Sequence, residues 1–129
     1  MKRRTAREKA LQALFQIDLS KTDKEEAIQH VLEGEKRDAY LVKLVDGVME
    51  HQQEIDVLIK KYLENWTIER IANVDRNLLR LAAFELLYNA EDVPANVVMD
   101  EAVEIAKLYG DDQSSKFING VLSKMKKNQ

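Results

Sequence analysis

Few side chains in this sequence are of the kinds that carry chemistry, and their spacing works against a reaction. His30 and His51 fall in different helical segments, and neither belongs to an HExxH or Glu-x-x-His arrangement, so both read as surface histidines rather than metal ligands or bases. The glycines at 34, 47, 110 and 120 never cluster, so no loop is built to cradle a phosphate. Asp111-Asp112 is a carboxylate pair without the alternating ligands and later glutamate of a calcium loop, and it reads as a helix-joining loop. Ser114-Ser115 has no base beside it and reads as a helix cap. Trp66 and Tyr62 stand at helical spacing and read as core or half-buried, not as a base-stacking pair. With no cysteine in the chain, disulfides and thiolate metal sites are excluded. No enzyme activity, metal or cofactor is expected.

The arginines are the exception. Lys2, Arg3, Arg4, Arg7 and Lys9 face only Glu8 within residues 1–9, a local charge of +4 in a chain whose net charge is −3. Residues 114–129 carry Lys116, Lys124, Lys126 and Lys127 and no acid, another +4, which leaves −11 for residues 10–113. Basic ends on an acidic body point to an anionic partner and a cationic one. On a helical wheel of about 100° per residue, Arg3, Arg4 and Arg7 share the sector of Leu11, Leu14 and Phe15. Packing that turn on the bundle would bury three guanidiniums without evident partners. The first turn is therefore expected to project past the bundle or stay unfolded, where guanidinium suits phosphate.

The elements around these residues are all helical. At 129 residues, with 45% hydrophobic and 33% charged side chains, four glycines and one proline, the chain has the composition of one helical domain over residues 1–129. A first helix is expected from about Thr5 to Leu19, on Ala6, Ala10, Ala13, Leu14 and Ile17. Thr22 with Glu25, or Asp23 with Glu26, can open a short second helix that Gly34 ends. Between Arg37 and Asn65 the polar run Glu50-His51-Gln52-Gln53-Glu54 predicts two helices with a bend. Thr67 can cap a turn holding Ile68 and Ile71. Asp75 to Asn89 is apolar on nearly every side and predicts a central post. Pro94 opens a helix that stops at Gly110, and Ser114 or Ser115 caps the last one. The sum is an all-α bundle of about seven helices. Lys2, Arg3 and Arg4 precede no apolar run, and no window nears the ~18 apolar residues of a membrane span. A cytoplasmic protein without membrane contact is expected.

Two motif blocks carry a resemblance. Arg3-Arg4-Thr5-Ala6-Arg7-Glu8 followed by Ala10-Leu11-Gln12-Ala13-Leu14-Phe15 resembles the start of the NusB family of bacterial transcription antitermination factors. Asp92-Val93-Pro94, Asp100 to Lys107, Tyr109-Gly110 and Lys116 to Leu122 are similar to that family's C-terminal signature. The resemblance implies an all-helical fold in two small helical subdomains. It implies binding of single-stranded boxA RNA from ribosomal-RNA operons, as a heterodimer with the ribosomal protein NusE, within an antitermination complex on RNA polymerase. By the same resemblance, the RNA surface falls on Arg3, Arg4, Arg7, Lys116 and Phe117, and the NusE face on Asp75 with Arg76 beside it. Thr5 stands where the family often has another arginine, and Gln113 where an acid is common. For Phe117, stacking on a base and packing in the core both stay open. The competing expectation is a helical protein–protein adaptor without direct RNA binding, its basic ends only solubilising.

Overall fold

A helix with leucine, alanine and phenylalanine on every side must be surrounded, and the computed structural model, which describes residues 1–64 and 66–128, is built around such a helix. Six α-helices and one 3₁₀ turn make up the described chain: α1 (Arg3–Ser20), α2 (Lys24–Leu32), α3 (Ala39–Tyr62), the turn Ile68–Arg70, α4 (Asn73–Tyr88), α5 (Ala95–Tyr109) and α6 (Ser114–Lys127). Of α4, every residue from Asn77 to Leu86 is buried. It packs on α1 and α3 from the N-terminal half and on α5 and α6 from the C-terminal half, and α1 also packs on α2 and α3. This agrees with the expected all-helical bundle of about seven helices; six are found among the described residues because the pair expected between Arg37 and Asn65 is one helix.

The caps follow from local chemistry. Asp23, not Thr22, opens α2, its carboxylate accepting from the N–H groups of Glu25 at 3.1 Å and Glu26 at 3.3 Å. Glu33 and Gly34 close α2 at positive φ, 51° and 84°. Asp38 opens α3 by accepting from the Leu41 N–H at 3.0 Å. Thr67 precedes the 3₁₀ turn without a side-chain cap bond. At α6 neither serine is the N-cap, which is Gln113. Ser114 is already helical and buried, and its Oγ instead accepts from the Asp111 N–H at 2.9 Å, closing the loop onto the helix.

The bend expected near residues 50–54 is absent, and α3 is one helix of 24 residues; the expected end at Asn65 lies outside the described residues. Glu50, Gln53 and Glu54 face solvent while Val48 and Ile55, two turns apart, are both fully buried. The inward face is continued between them by His51, whose ring stacks on Tyr88 at 3.9 Å between centroids. Gly47 is buried where α3 meets α4, and a Cβ there would run into the Phe84 ring.

Candidate nucleic-acid interface

The first turn neither projects nor frays: α1 is helical from Arg3. The guanidiniums share a sector with Leu11 and Leu14 as the wheel requires, and the carboxylates missing from the local sequence arrive from α4 and α5. Arg7, only 4% exposed, donates through Nε and Nη2 to the two carboxylate oxygens of Glu85 at 2.7 and 2.9 Å. Its Nη1 donates to Glu101 at 3.1 Å. The Tyr40 hydroxyl donates to Glu85 as well, and burial followed by the Glu85 charge pushes the Tyr40 pKa up to about 12. Burial works against the Arg7 charge, but the bond to Glu85 and that carboxylate's field outweigh it and hold the pKa above its ordinary value. Every guanidinium nitrogen of Arg7 is therefore committed within the fold.

Arg4 is half-free. Its Nε and Nη2 clamp Glu101, with Nε at 2.9 Å, and Nη1 has no partner among the described residues. These bonds, first from Arg4 and then the Arg7 charge, hold Glu101 below the usual carboxylate range. Arg3 is exposed and makes no hydrogen bond among the described residues; its guanidinium lies over the Tyr40 ring at 4.1 Å. The +4 of the N-terminal segment is thus partly neutralised in space. Among the described residues Lys2 and Arg3 remain the open cations, Lys9 donates to the Val31 carbonyl at 2.7 Å and keeps its charge, Arg4 is shared with Glu101, and Arg7 is consumed.

From α6, Lys116 is exposed and enters a cleft against α5 with Asp100, Glu104 and Lys107. Glu104 also acts on Arg4 through its charge. Arg4 and Lys116, at opposite ends of the sequence, are thereby brought to the two flanks of the acidic front half of α5. Phe117 is half-buried, packing on the core while lining a second cleft of about 340 Å³ with Asp75, Arg70, Asp111 and Trp66. Core packing and an open ring face are both realised there. Trp66, expected to be core or half-buried, is 57% exposed.

Asp75 is only 7% exposed, and its Oδ1 is buried with no hydrogen-bond partner among the described residues. Burial raises its pKa, the Ser114 hydroxyl offsets part of that, and the Asp111 charge adds to it. Arg76 points elsewhere, donating to Asp18 at 3.0 and 2.8 Å and to the Ile68 carbonyl at 3.3 Å. Asp18 is also held by Asn77 at 3.0 Å. Burial would raise the Asp18 pKa, but Arg76, Asn77 and Arg80 outweigh it and lower it. Asp75 thus keeps an unfilled acceptor among the described residues, while the donors of Arg76 are spent within the fold.

Glu85, Glu101, Tyr40 and Trp66 are the residues that sequence reasoning missed at this surface. Glu85 had a signal: an acid inside a helix apolar on all sides must find a cation. Glu101 lies inside the signature run Asp100 to Lys107, but nothing there says that it meets Arg4 and Arg7, and nothing local to Tyr40 or Trp66 says what comes to face it.

A helical bundle with an arginine turn anchored by carboxylates, a cationic rim and open aromatic clefts is the frame of a binding protein. The NusB family model matches residues 4–127, and the chain belongs to the NusB family. It is 61% identical to the transcription antitermination protein NusB of Bacillus subtilis (strain 168) over 126 residues, 98% of this chain and 95% of that one. It is 54% identical to the protein of the same name from Listeria monocytogenes serotype 4a, covering 95% and 94%. Among solved structures it is similar to T. maritima NusB, at 38% identity and a TM-score of 0.91, covering 100% of this chain and 93% of that one. It is also similar to a chain in a crystal structure of antitermination factors NusB and NusE in complex with double-stranded RNA, at 36% identity and a TM-score of 0.88, covering 98% and 97%. No helix among the described residues is long and apolar enough to cross a membrane.

Proposed function

We propose that this chain is an RNA-binding transcription antitermination factor of the cytoplasm. It binds boxA RNA of ribosomal-RNA operons as a heterodimer with NusE and supports processive transcription by RNA polymerase. The observation that carries the reading is the likeness over 98% of the chain to a factor crystallised with NusE and RNA. The role is one of binding, with no reaction to assign. Arg3, with its unpaired guanidinium on Tyr40, and Lys116 on α6 take backbone phosphates, with Arg4 joining when it leaves Glu101. Arg7 serves the RNA surface by fixing the first turn to α4. Phe117 offers its open face to a base. Asp75, which lines the cleft, accepts from NusE, while Arg76 holds the start of α4 in place through Asp18. An acidic body of −11 between basic ends suits a basic protein partner.

One observation favours the adaptor reading without RNA: Arg4 and Arg7 already have carboxylates. The test is titration of boxA RNA, single-stranded and as a duplex, with and without NusE, across salt. A single-stranded site should lose about 0.7 log units of affinity per log of salt for each phosphate held. Arg3→Ala and Lys116→Ala should each flatten that slope. Equal affinities and slopes for all three proteins would place the RNA away from Arg3 and Lys116, and no binding of either RNA, with or without NusE, would favour the adaptor.

A further inference from the structure

Trp66 is the single tryptophan of the chain, and more than half of it is in water. An indole left open forgoes burial that the fold could otherwise have used. Its surroundings are specific. Trp66, Tyr62 and Phe117 line one cleft of about 230 Å³, with Lys116 and Lys124 at its margin and Gly120 on the α6 side. A side chain at Gly120 would meet nothing within 4 Å, so α6 presents open backbone there. The cleft adjoins the one holding Asp75, with Trp66 and Phe117 common to both.

We propose that this cleft is a second nucleotide site, holding a further nucleotide of the same single-stranded RNA between Trp66 and Lys124, next to the one on Lys116 and Phe117, which the two positions share. The base stacks on Trp66, and the adjoining phosphate takes Lys124 from Glu64, its present partner. The inference rests on the RNA reading above and extends it to residues from α3, the following loop and the far half of α6. Two features select RNA over an apolar protein segment. The cleft is continuous with the Lys116–Phe117 surface, and α6 runs on from it into Lys124, Lys126 and Lys127 without an acid. Aromatic faces between lysines are how sequence-tolerant single-strand sites are built.

Because there is one tryptophan, the fluorescence of this chain reports the two adjoining clefts that share it. A boxA RNA with flanking nucleotides, carrying a dye for anisotropy, is titrated onto the whole protein with NusE present. Trp66 emission should be quenched with the same midpoint as the anisotropy rise. Trp66→Ala should weaken binding by roughly 5- to 100-fold, the span of base–aromatic stacking, with an unchanged circular dichroism spectrum because the side chain is exposed. Lys124→Ala should lower the salt slope by about 0.7. Anisotropy that rises while Trp66 emission stays constant overturns the proposal, as does an undiminished affinity of Trp66→Ala. NusE alone can alter the emission through the Asp75 cleft, so the NusE-bound signal is the baseline; quenching by NusE that RNA then leaves unchanged also overturns the proposal, assigning the cleft to protein. Failure of any RNA to bind removes the function reading itself, which is a different result.

Discussion

Glu101 accepts from two guanidiniums, Arg4 through Nε and Nη2 and Arg7 through Nη1, and so stands where a phosphate would stand at Arg4. Glu101→Gln keeps the shape and removes the competing charge. It should raise affinity for boxA RNA by about three- to tenfold and steepen the salt slope by about 0.7, one phosphate on a single strand, read from the same titration. Asp75 poses the opposite case. Its folded pKa is raised above the unfolded one, so its contribution is full below the unfolded pKa and lost as pH rises through the folded one; at neutral pH the charge is a cost. Asp75→Asn should therefore raise Tm by a few degrees while weakening NusE binding by roughly tenfold, checked by calorimetry of the free chain and titration of the partner. The sequence revealed the arginines as a cluster, but not which of them is available. Availability is decided by Glu85 and Glu101, and local spacing carries no information on contacts that distant.

Where α3 crosses α4, Gly47 lets the Phe84 ring lie against helix backbone. Gly47→Ala gains helix propensity and still should destabilise by about 1–3 kcal/mol, because the ring has no room to retreat; urea denaturation measures it, and Phe84→Leu in the same chain should recover part of the loss. Helical periodicity was legible almost everywhere, because buried stripes such as Val98, Ala102 and Ile105 repeat with the helical turn. It misled at Glu50–Glu54, where a polar run looked like a break. A helix needs an inward face, not an unbroken apolar one, and a histidine stacked on a tyrosine from the next element supplies it. The serines that begin α6 misled for a related reason: Ser114 does satisfy a backbone N–H, but that of Asp111 in the loop and not one in the helix.

The bundle as a whole is knit by charges that sequence composition counts but cannot place. Asp18 joins α1 to α4 through Arg76, Asn77 and Arg80, and Glu101 joins α5 to α1. Both carboxylates have lowered folded pKa values, so the stability they give is present above the unfolded value near 4 and is lost as pH falls through the folded one. Urea midpoints should hold from neutral pH to about 5 and fall steeply below about 4, with Asp18→Asn shallower in the acid limb. A chain made from its N-terminus meets these contacts in a fixed order. Arg7 and Glu85 are 78 residues apart, so the arginines of the first turn emerge from the ribosome well before the acids that bind them exist. For that interval they are unmasked cations, and the clasp closes only when α4 arrives. In the full-length chain the same separation makes the clasp costly to close early, so it belongs to the barrier against opening rather than to the speed of assembly: Arg7→Met should leave the refolding rate nearly unchanged and hasten unfolding, which stopped-flow chevrons resolve.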